Sequence, residues 1–145
     1  MNVSIRSFTP KLLLPVAFAL WAASALAGGK NRVATVYAFG FASSFSDSTV
    51  YFTDVMPIDS ASVEEKTGFL LSRAEYVDQL RAYMQEKHGA RMVCVLTFAE
   101  KRKDAEKKFV ALRKRYMKKP GYEVKYIAPA DFTFRPVVLP PEKRE

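Results

Sequence analysis

Two segments with helical periodicity, each followed by a strand pattern, constrain the fold of this chain most strongly. In the first segment, Ser72 and Glu75 have the spacing of a capping box, in which the serine hydroxyl accepts a hydrogen bond from an early backbone N–H and the glutamate reaches back. The segment therefore predicts a helix that begins at Ser72 and ends at His88-Gly89. Its apolar face comprises Tyr76, Val77, Leu80, Tyr83 and Met84.

The second helical segment covers residues 100–119 and is ended by Pro120-Gly121. Its apolar residues recur at spacings of four, three and four, which is typical of a helix with one buried face. That stripe comprises Ala105, Phe109, Leu112 and Tyr116, and is widened by Val110 and Met117.

Five shorter segments have the composition or the alternation of strands. Residues 33–41 and 49–56 are rich in β-branched and aromatic types, and are predicted to pair as a hairpin. Residues 91–98 form a nearly continuous apolar run, which predicts a central strand buried on both faces. Residues 122–127 alternate like a half-buried strand, and residues 131–135 favour a short edge strand.

Pro57 is expected to end the second strand, which leaves residues 59–71 as a polar connection. The element order is then β-β-α-β-α-β. Two strand–helix–strand units predict crossovers that lay their helices against a sheet. The predicted fold class is α+β, a two-layer α/β sandwich with both helices on one face of a sheet of four or five strands.

Composition bounds the class of protein. The chain has 145 residues, 49% of them apolar and 26% charged, which is the usage of an ordinary globular domain. This length predicts one domain and excludes a multidomain enzyme or a full TIM barrel. Cys94 is the only cysteine, which excludes an intramolecular disulfide. One cysteine and one histidine are too few for the usual zinc sites, and no cofactor or metal is predicted.

The N-terminal residues have the parts of a secretory signal peptide. Arg6 and Lys11 form a positive region, and an uncharged apolar run leads to a cleavage pattern at Ala25-Leu26-Ala27. An uncleaved anchor is the alternative, but the apolar run is shorter than the roughly 20 residues of a spanning helix. We therefore predict export to the periplasm or the medium. The predicted organisation is a signal peptide at 1–27, one domain at 28–136 and a flexible tail at 137–145.

Basic charge is concentrated in the second helical segment. Residues 101–119 hold ten Lys or Arg and two acidic residues, a net charge of +8. The rest of the chain beyond the signal peptide holds eleven basic and thirteen acidic residues, a net charge of −2. Like charges four residues apart on a helix repel each other, so stability alone would favour interleaved glutamates.

On a helix of about 100° per residue with Phe109 at zero, the apolar stripe runs from about −60° to about 100°, and seven basic residues lie between about 120° and about 280°. This outward face predicts a binding surface for an anionic envelope polymer or lipid headgroups, with a merely solvated face as the alternative. Nucleic acid is disfavoured, because no aromatic residue interrupts the basic arc to stack on bases. The candidate anion-binding residues are Lys103, Lys107, Lys108, Lys114, Arg115, Lys118 and Lys119.

Catalysis is disfavoured. His88 is the only histidine and stands where a helix-terminal histidine is common. Asp47 and Asp54 would need to meet across the hairpin to work as an acid–base pair. The residues around Ser43 lack the G-x-S-x-G context of a hydrolase nucleophile. The sequence therefore predicts no enzyme and assigns no catalytic residue.

A protein partner is the alternative function. The hairpin segment 33–56 is denser in aromatic residues than a small core obviously needs, and an exposed aromatic patch would mark an interface. In this hypothesis the chain is a structural subunit of an envelope complex. Ordinary sheet packing is the simpler explanation of the same residues, which are Phe39, Phe41, Phe45, Tyr51 and Phe52.

Two resemblances bear on these expectations. Residues 37–54, with Thr67-Gly-Phe-Leu and residues 98–108, resemble a group of small exported proteins of Gram-negative anaerobes. That resemblance implies export and a single compact domain, and it implies no functional residues. Residues 95–106 through 121–126 are also similar to one strand–helix–strand half of the SPOR domain, which binds peptidoglycan. The first half of the chain departs from that pattern, since two strands and a long connection precede its helix.

Overall fold

The structure, a computed structural model, describes residues 30–89 and 91–139. The predicted signal peptide and residues 140–145 lie outside the described residues. Within the described residues no helix is long and apolar enough to cross a membrane. The elements are β1 (Asn31–Ser44), β2 (Thr49–Thr53), β3 (Met56–Glu64), α1 (Arg73–His88), β4 (Met92–Ala99), α2 (Arg102–Lys118) and β5 (Glu123–Ile127).

The sheet is organised around β1, which has 14 residues and pairs on both of its edges. Its C-terminal half, from Tyr37 to Ser44, is antiparallel to β4. On the opposite edge, β1 pairs antiparallel with β3 and then with β2, which follow one another along the same line. Strand β5 lies outside β2 and parallel to it. Across the sheet the order is therefore β4-β1-β2-β5, with β3 extending the line of β2.

The predicted α+β class is confirmed, with two helices and a five-stranded mixed sheet in the part of the chain that the structure describes. The element order contains one more strand than predicted, because β3 occupies much of the expected polar connection. Its alternation is interrupted at Asp59-Ser60, where Ser60 has a φ of 56°. The register with β1 shifts at the same level, between Ala34 and Val36. Pro57 is tolerated near the start of β3, because prolines occur at strand starts and sheet edges.

The predicted placement of both helices on one face is wrong, because the sheet has a helix on each face. In β1, Ala38 and Ala42 belong to the apolar cluster around α1. Phe39 and Phe41, which alternate with them, belong to the cluster around α2. The described residues therefore form three layers with two separate apolar cores.

Chain direction explains this arrangement. The crossover through α1 runs from the β3 side of β1 to β4, and the crossover through α2 returns from β4 to β5. Parallel strand–helix–strand connections are right-handed in nearly all proteins. Two right-handed crossovers that run in opposite directions across a sheet place their helices on opposite faces. Each strand–helix–strand unit taken alone contains no information about this reversal.

Gly40 allows α1 to lie close to the sheet. A Cβ at this position would stand 2.6 Å from Leu80 Cδ2. The Gly40 N–H donates to Thr53 Oγ1 at 2.8 Å, which shows that this amide points toward β2 and away from β4. The backbone of Leu96, the β4 partner of Gly40, therefore points outward from the sheet.

Strand β4 is an edge strand, which corrects the prediction of a central strand. Met92, Cys94 and Leu96 are buried on the α1 side, whereas Val93 and Val95 are 41% and 39% exposed on the α2 side. Continuous apolar runs are typical of strands that are buried on both faces. Here the second face is only partly covered, because α2 lies over the middle of the sheet.

The start of α1 is where predicted, but not for the predicted reason. Ser72 has a left-handed backbone with a φ of 57°, and its side chain makes no capping hydrogen bond. The preceding Leu71 N–H donates to Ser62 O at 2.9 Å. This pairing with β3 requires a sharp change of direction at Ser72. The predicted end is confirmed, with Gly89 left-handed and its N–H bonded to Gln85 O at 2.8 Å.

The chain after β5 packs along α1 without forming the strand expected at residues 131–135. The side-chain amide of Gln79 holds this segment by two hydrogen bonds. It accepts one from Arg135 N at 2.8 Å and donates one to Arg135 O at 2.9 Å. The predicted tail boundary at 137 is too early: Val137 N donates to Tyr76 Oη at 3.0 Å, and Leu139 is buried. The packed part of the described chain therefore extends to Leu139.

Candidate functional site

The candidate site is the outer face of α2, whose inner face is anchored by aromatic packing. Ala105 is fully buried at the first turn. Phe109 packs edge-to-face on Phe39 and Phe52, with ring centroids at 5.3 and 5.7 Å. Tyr116 contacts Phe41, with centroids at 5.0 Å. These contacts set the rotation of the helix about its axis and so decide which side chains point outward.

All seven predicted anion-binding residues are exposed, but two of them have structural partners. Lys108 Nζ donates to the carbonyl of Phe98 at 3.1 Å, at the outer edge of β4. Lys119 lies over the ring of Tyr116 at 4.9 Å and over that of Tyr122 at 5.7 Å. The charges of these two lysines are therefore partly used within the fold, and their role in anion binding stays a prediction.

The other five residues make no hydrogen bond, ion pair or ring contact within the described chain. Four of them form a straight line at about 120° to 180° on the helix. At about 1.5 Å per residue, this line is about 22 Å long. We call it the basic row: Lys103, Lys107, Lys114 and Lys118. Arg115 lies next to it.

The acidic side chains of α2 do not neutralise the basic row. Glu106 faces Arg102, with Oε1 and Nη1 at 3.6 Å. Asp104 is exposed and lies at about 220°, outside the row. The four lysines therefore remain charged neighbours at spacings of four and seven residues, with the mutual repulsion that the sequence predicts.

One flank of α2 is apolar and exposed, which corrects the width of the predicted buried stripe. Val110 is 37% exposed and Met117 is 62% exposed. They lie at about 80° to 100° on the helix, directly beside the basic row. We call these two residues the apolar flank. Only the residues spaced at four, three and four, from Ala105 to Tyr116, face the core. Val110 and Met117 fall outside this spacing, and that difference is the signal in the sequence that identifies the apolar flank.

The apolar flank faces the β5 side of the molecule. Lys108 reaches the edge of β4, and Val110 lies about 200° round the helix from it. Val124 of β5 belongs to the α2 core, so Tyr126 shares its face by strand alternation, as does Tyr122, which directly precedes β5. These tyrosines are 41% and 53% exposed. Sequence reasoning did not select them, although their alternation with Glu123 and Lys125 marks them as one face.

Arg113 lies between the flank and the core. Its guanidinium stands 5.8 Å from the centre of the Phe109 ring. Its Nε is buried and has no hydrogen-bond partner in the described residues. A shallow groove of about 520 Å³ runs along the exposed side of the helix. The residues that line it are Lys103, Glu106, Lys107, Val110, Ala111 and Lys114.

The two aspartates with a possible acid–base role lie at opposite ends of β2. Asp47 Oδ1 accepts the Thr49 N–H at 2.8 Å in the β1–β2 turn. Asp54 follows β2 at its opposite end, so about 20 Å of extended chain separates the two carboxylates. The His88 ring packs on Tyr51, with centroids at 4.7 Å. The described residues contain no group of three or more His, Cys, Asp or Glu that could hold a metal ion.

Cys94 is a buried thiol on the α1 side of β4, as predicted. Burial raises its pKa, and the positive charge of Arg81 opposes that rise. The thiol therefore favours its protonated form, which is the unreactive one.

The aromatic residues of the first hairpin are mostly core residues. Phe39, Phe41 and Phe52 are buried against α2. Tyr51 is half-buried, and Phe45 is 85% exposed in the β1–β2 turn. Sheet packing thus accounts for three of the five residues that suggested a protein interface. The existence of a protein partner stays a prediction.

Comparisons of this chain with protein-family models, with curated proteins and with solved structures found no match. The resemblances to small exported proteins and to a SPOR half stay predictions.

Proposed function

We propose that this protein is an exported, non-enzymatic module that docks on an anionic component of the cell envelope through the outer face of α2. The observation that carries the proposal is the basic row, four lysines without partners in the described residues on a helix whose other side is packed. Each lysine near an anionic surface contributes about 1 kcal/mol of attraction. A face of this kind supports reversible association that depends on ionic strength.

The position of the basic row also supports docking. The row lies on the face of the sheet opposite to α1 and the C-terminal segment, so these elements do not obstruct a flat or extended anionic partner. The row follows the helix axis for about 22 Å. Several anionic groups can therefore be contacted at once without a conformational change.

The proposal is tested by co-sedimentation of residues 28–145 with purified peptidoglycan sacculi and with anionic lipid vesicles, at low and high salt. The test variant replaces Lys107, Lys114 and Lys118 with Glu. We expect it to lower the affinity for the target at least about a hundredfold, because three attractive contacts become repulsive.

The matched control makes the same change of net charge elsewhere, by replacing the exposed Lys30, Lys66 and Lys87 with Glu. The control should retain most of the binding. Equal loss of binding in both variants would show that only net charge matters. Unchanged binding of the Lys107, Lys114 and Lys118 variant would reject the basic row as the site.

A further inference from the structure

The basic row and the apolar flank occupy one continuous exposed arc of α2. The arc extends from about 80° at Met117 to about 180° at Lys118. Val110 and Met117 are seven residues apart, or about 10 Å along the axis. Both therefore stand on one line, parallel to the row of lysines and adjacent to it. A single planar partner can contact both lines at the same time.

Two tyrosines extend the apolar side of this arc. Tyr126 is exposed on the α2 face of β5, and Tyr122 is exposed directly before that strand, on the side to which the flank is turned. Tyrosine combines an apolar ring with a polar hydroxyl, and it is enriched where protein meets the boundary between lipid and water. The lysines, the aliphatic side chains and the phenols thus lie together on one side of the molecule.

The chemistry of this arc discriminates between anionic partners. A hydrated polyanion, such as a glycan strand or a nucleic acid, contacts lysines but leaves Val110 and Met117 in water. A bilayer of anionic phospholipids offers phosphates at its surface and hydrocarbon a few ångströms deeper, which matches the two adjacent lines.

We propose that this face docks on an anionic phospholipid bilayer, with the basic row at the phosphates and the apolar flank inserted at the boundary of headgroups and acyl chains. This inference rests on the proposed function and names the partner of the same site. It assigns binding roles to Val110 and Met117, and it places Tyr122 and Tyr126 at the interfacial level. Charge attracts the protein to the surface, and insertion makes part of the binding resistant to salt.

The first test compares vesicles of phosphatidylglycerol and phosphatidylcholine with vesicles of phosphatidylcholine alone, by flotation. The variant Val110→Gln with Met117→Gln keeps every charge and removes the apolar flank. We expect its affinity for the anionic vesicles to fall about tenfold, because aliphatic surface no longer leaves water. The control, Val33→Gln with Val138→Gln, changes two exposed valines near the C-terminal segment and should leave the affinity unchanged.

The second test measures insertion directly. The only tryptophan is Trp21, so residues 28–145 contain none and Met117→Trp introduces a single reporter. On vesicles, its emission should shift to the blue and be quenched by brominated acyl chains, whereas Val138→Trp should respond to neither. Emission at position 117 that stays unchanged on bound protein would overturn insertion.

The outcomes separate the two proposals. If the variant Val110→Gln with Met117→Gln binds anionic vesicles as tightly as the unchanged chain does, the inference is overturned and the proposed function stays in place. Binding to sacculi without binding to vesicles does the same, and identifies a polymer as the partner. Binding to neither target removes both proposals.

Discussion

Ser72 shows how one backbone angle changes what a side chain can do. Its sequence context predicts a hydroxyl that caps α1, but a φ of 57° directs the side chain away from that role. A residue other than glycine in the left-handed region carries a cost of about 1–2 kcal/mol. The hydroxyl makes no capping bond that would offset this cost.

We therefore expect Ser72→Gly to raise the free energy of unfolding by about 0.5–1 kcal/mol, since relief of strain exceeds the entropy that glycine adds to the unfolded chain. Ser72→Ala should change it little. Urea denaturation of both variants provides the measurement. A capping serine would give the opposite pattern, with a loss of about 1 kcal/mol for Ala.

At the scale of elements, the exposed edge of β4 is protected by one basic side chain from each helix. Arg73 Nη2 of α1 donates to Leu96 O at 2.6 Å, and Lys108 Nζ of α2 donates to Phe98 O at 3.1 Å. These carbonyls are two residues apart, so both point outward from the sheet. Charged side chains at an edge prevent its pairing with another strand.

Replacing Arg73 and Lys108 with Met should make the protein self-associate, because the exposed carbonyls then lie beside the apolar Val93 and Val95. Sedimentation velocity over a range of concentrations measures this. Lys66→Met with Lys87→Met removes the same charge away from the edge and should leave the sedimentation coefficient unaltered. If neither double variant differs from the unchanged chain, the two contacts do not protect the edge.

At the scale of the whole molecule, the C-terminal segment completes the α1 core. Phe134 is buried against Tyr76, with ring centroids at 6.3 Å, and its N–H lies 3.2 Å from Met56 Sδ. Val137 and Leu139 continue this packing past the predicted end of the domain. The two faces of the sheet therefore differ. On one face, α1 and the C-terminal segment cover the core; on the other, α2 covers the core and carries the basic row on its outer side.

A chain that ends at residue 136 should lose about 2–4 kcal/mol of unfolding free energy relative to one that ends at 139, because Val137 and Leu139 no longer bury their side chains. Tyr76 Oη also loses its bond from Val137 N. Denaturation midpoints of residues 28–136 and 28–139 provide the comparison. Equal midpoints would agree with the boundary that the sequence predicts.

What the sequence determined by itself is local. The ends of both helices, the strands at 49–53 and 123–127 and the charge of α2 are set by periodicity, by Pro120 and by the glycines, which act within a few residues. Strand β3 was missed because an irregularity at Ser60 breaks the local pattern from which strands are predicted.

Which surfaces are covered depends on how the elements pack in three dimensions. Val110 and Val93 are apolar residues of a type common in cores. They are exposed because of where α2 lies across the sheet. That position follows from the direction in which the chain returns from β4 to β5. Nothing in the sequence around Lys108 indicates a partner for its side chain, yet Lys108 Nζ donates a hydrogen bond to the carbonyl of Phe98. Burial depends on neighbours that are distant in the chain, and a local pattern contains no record of them.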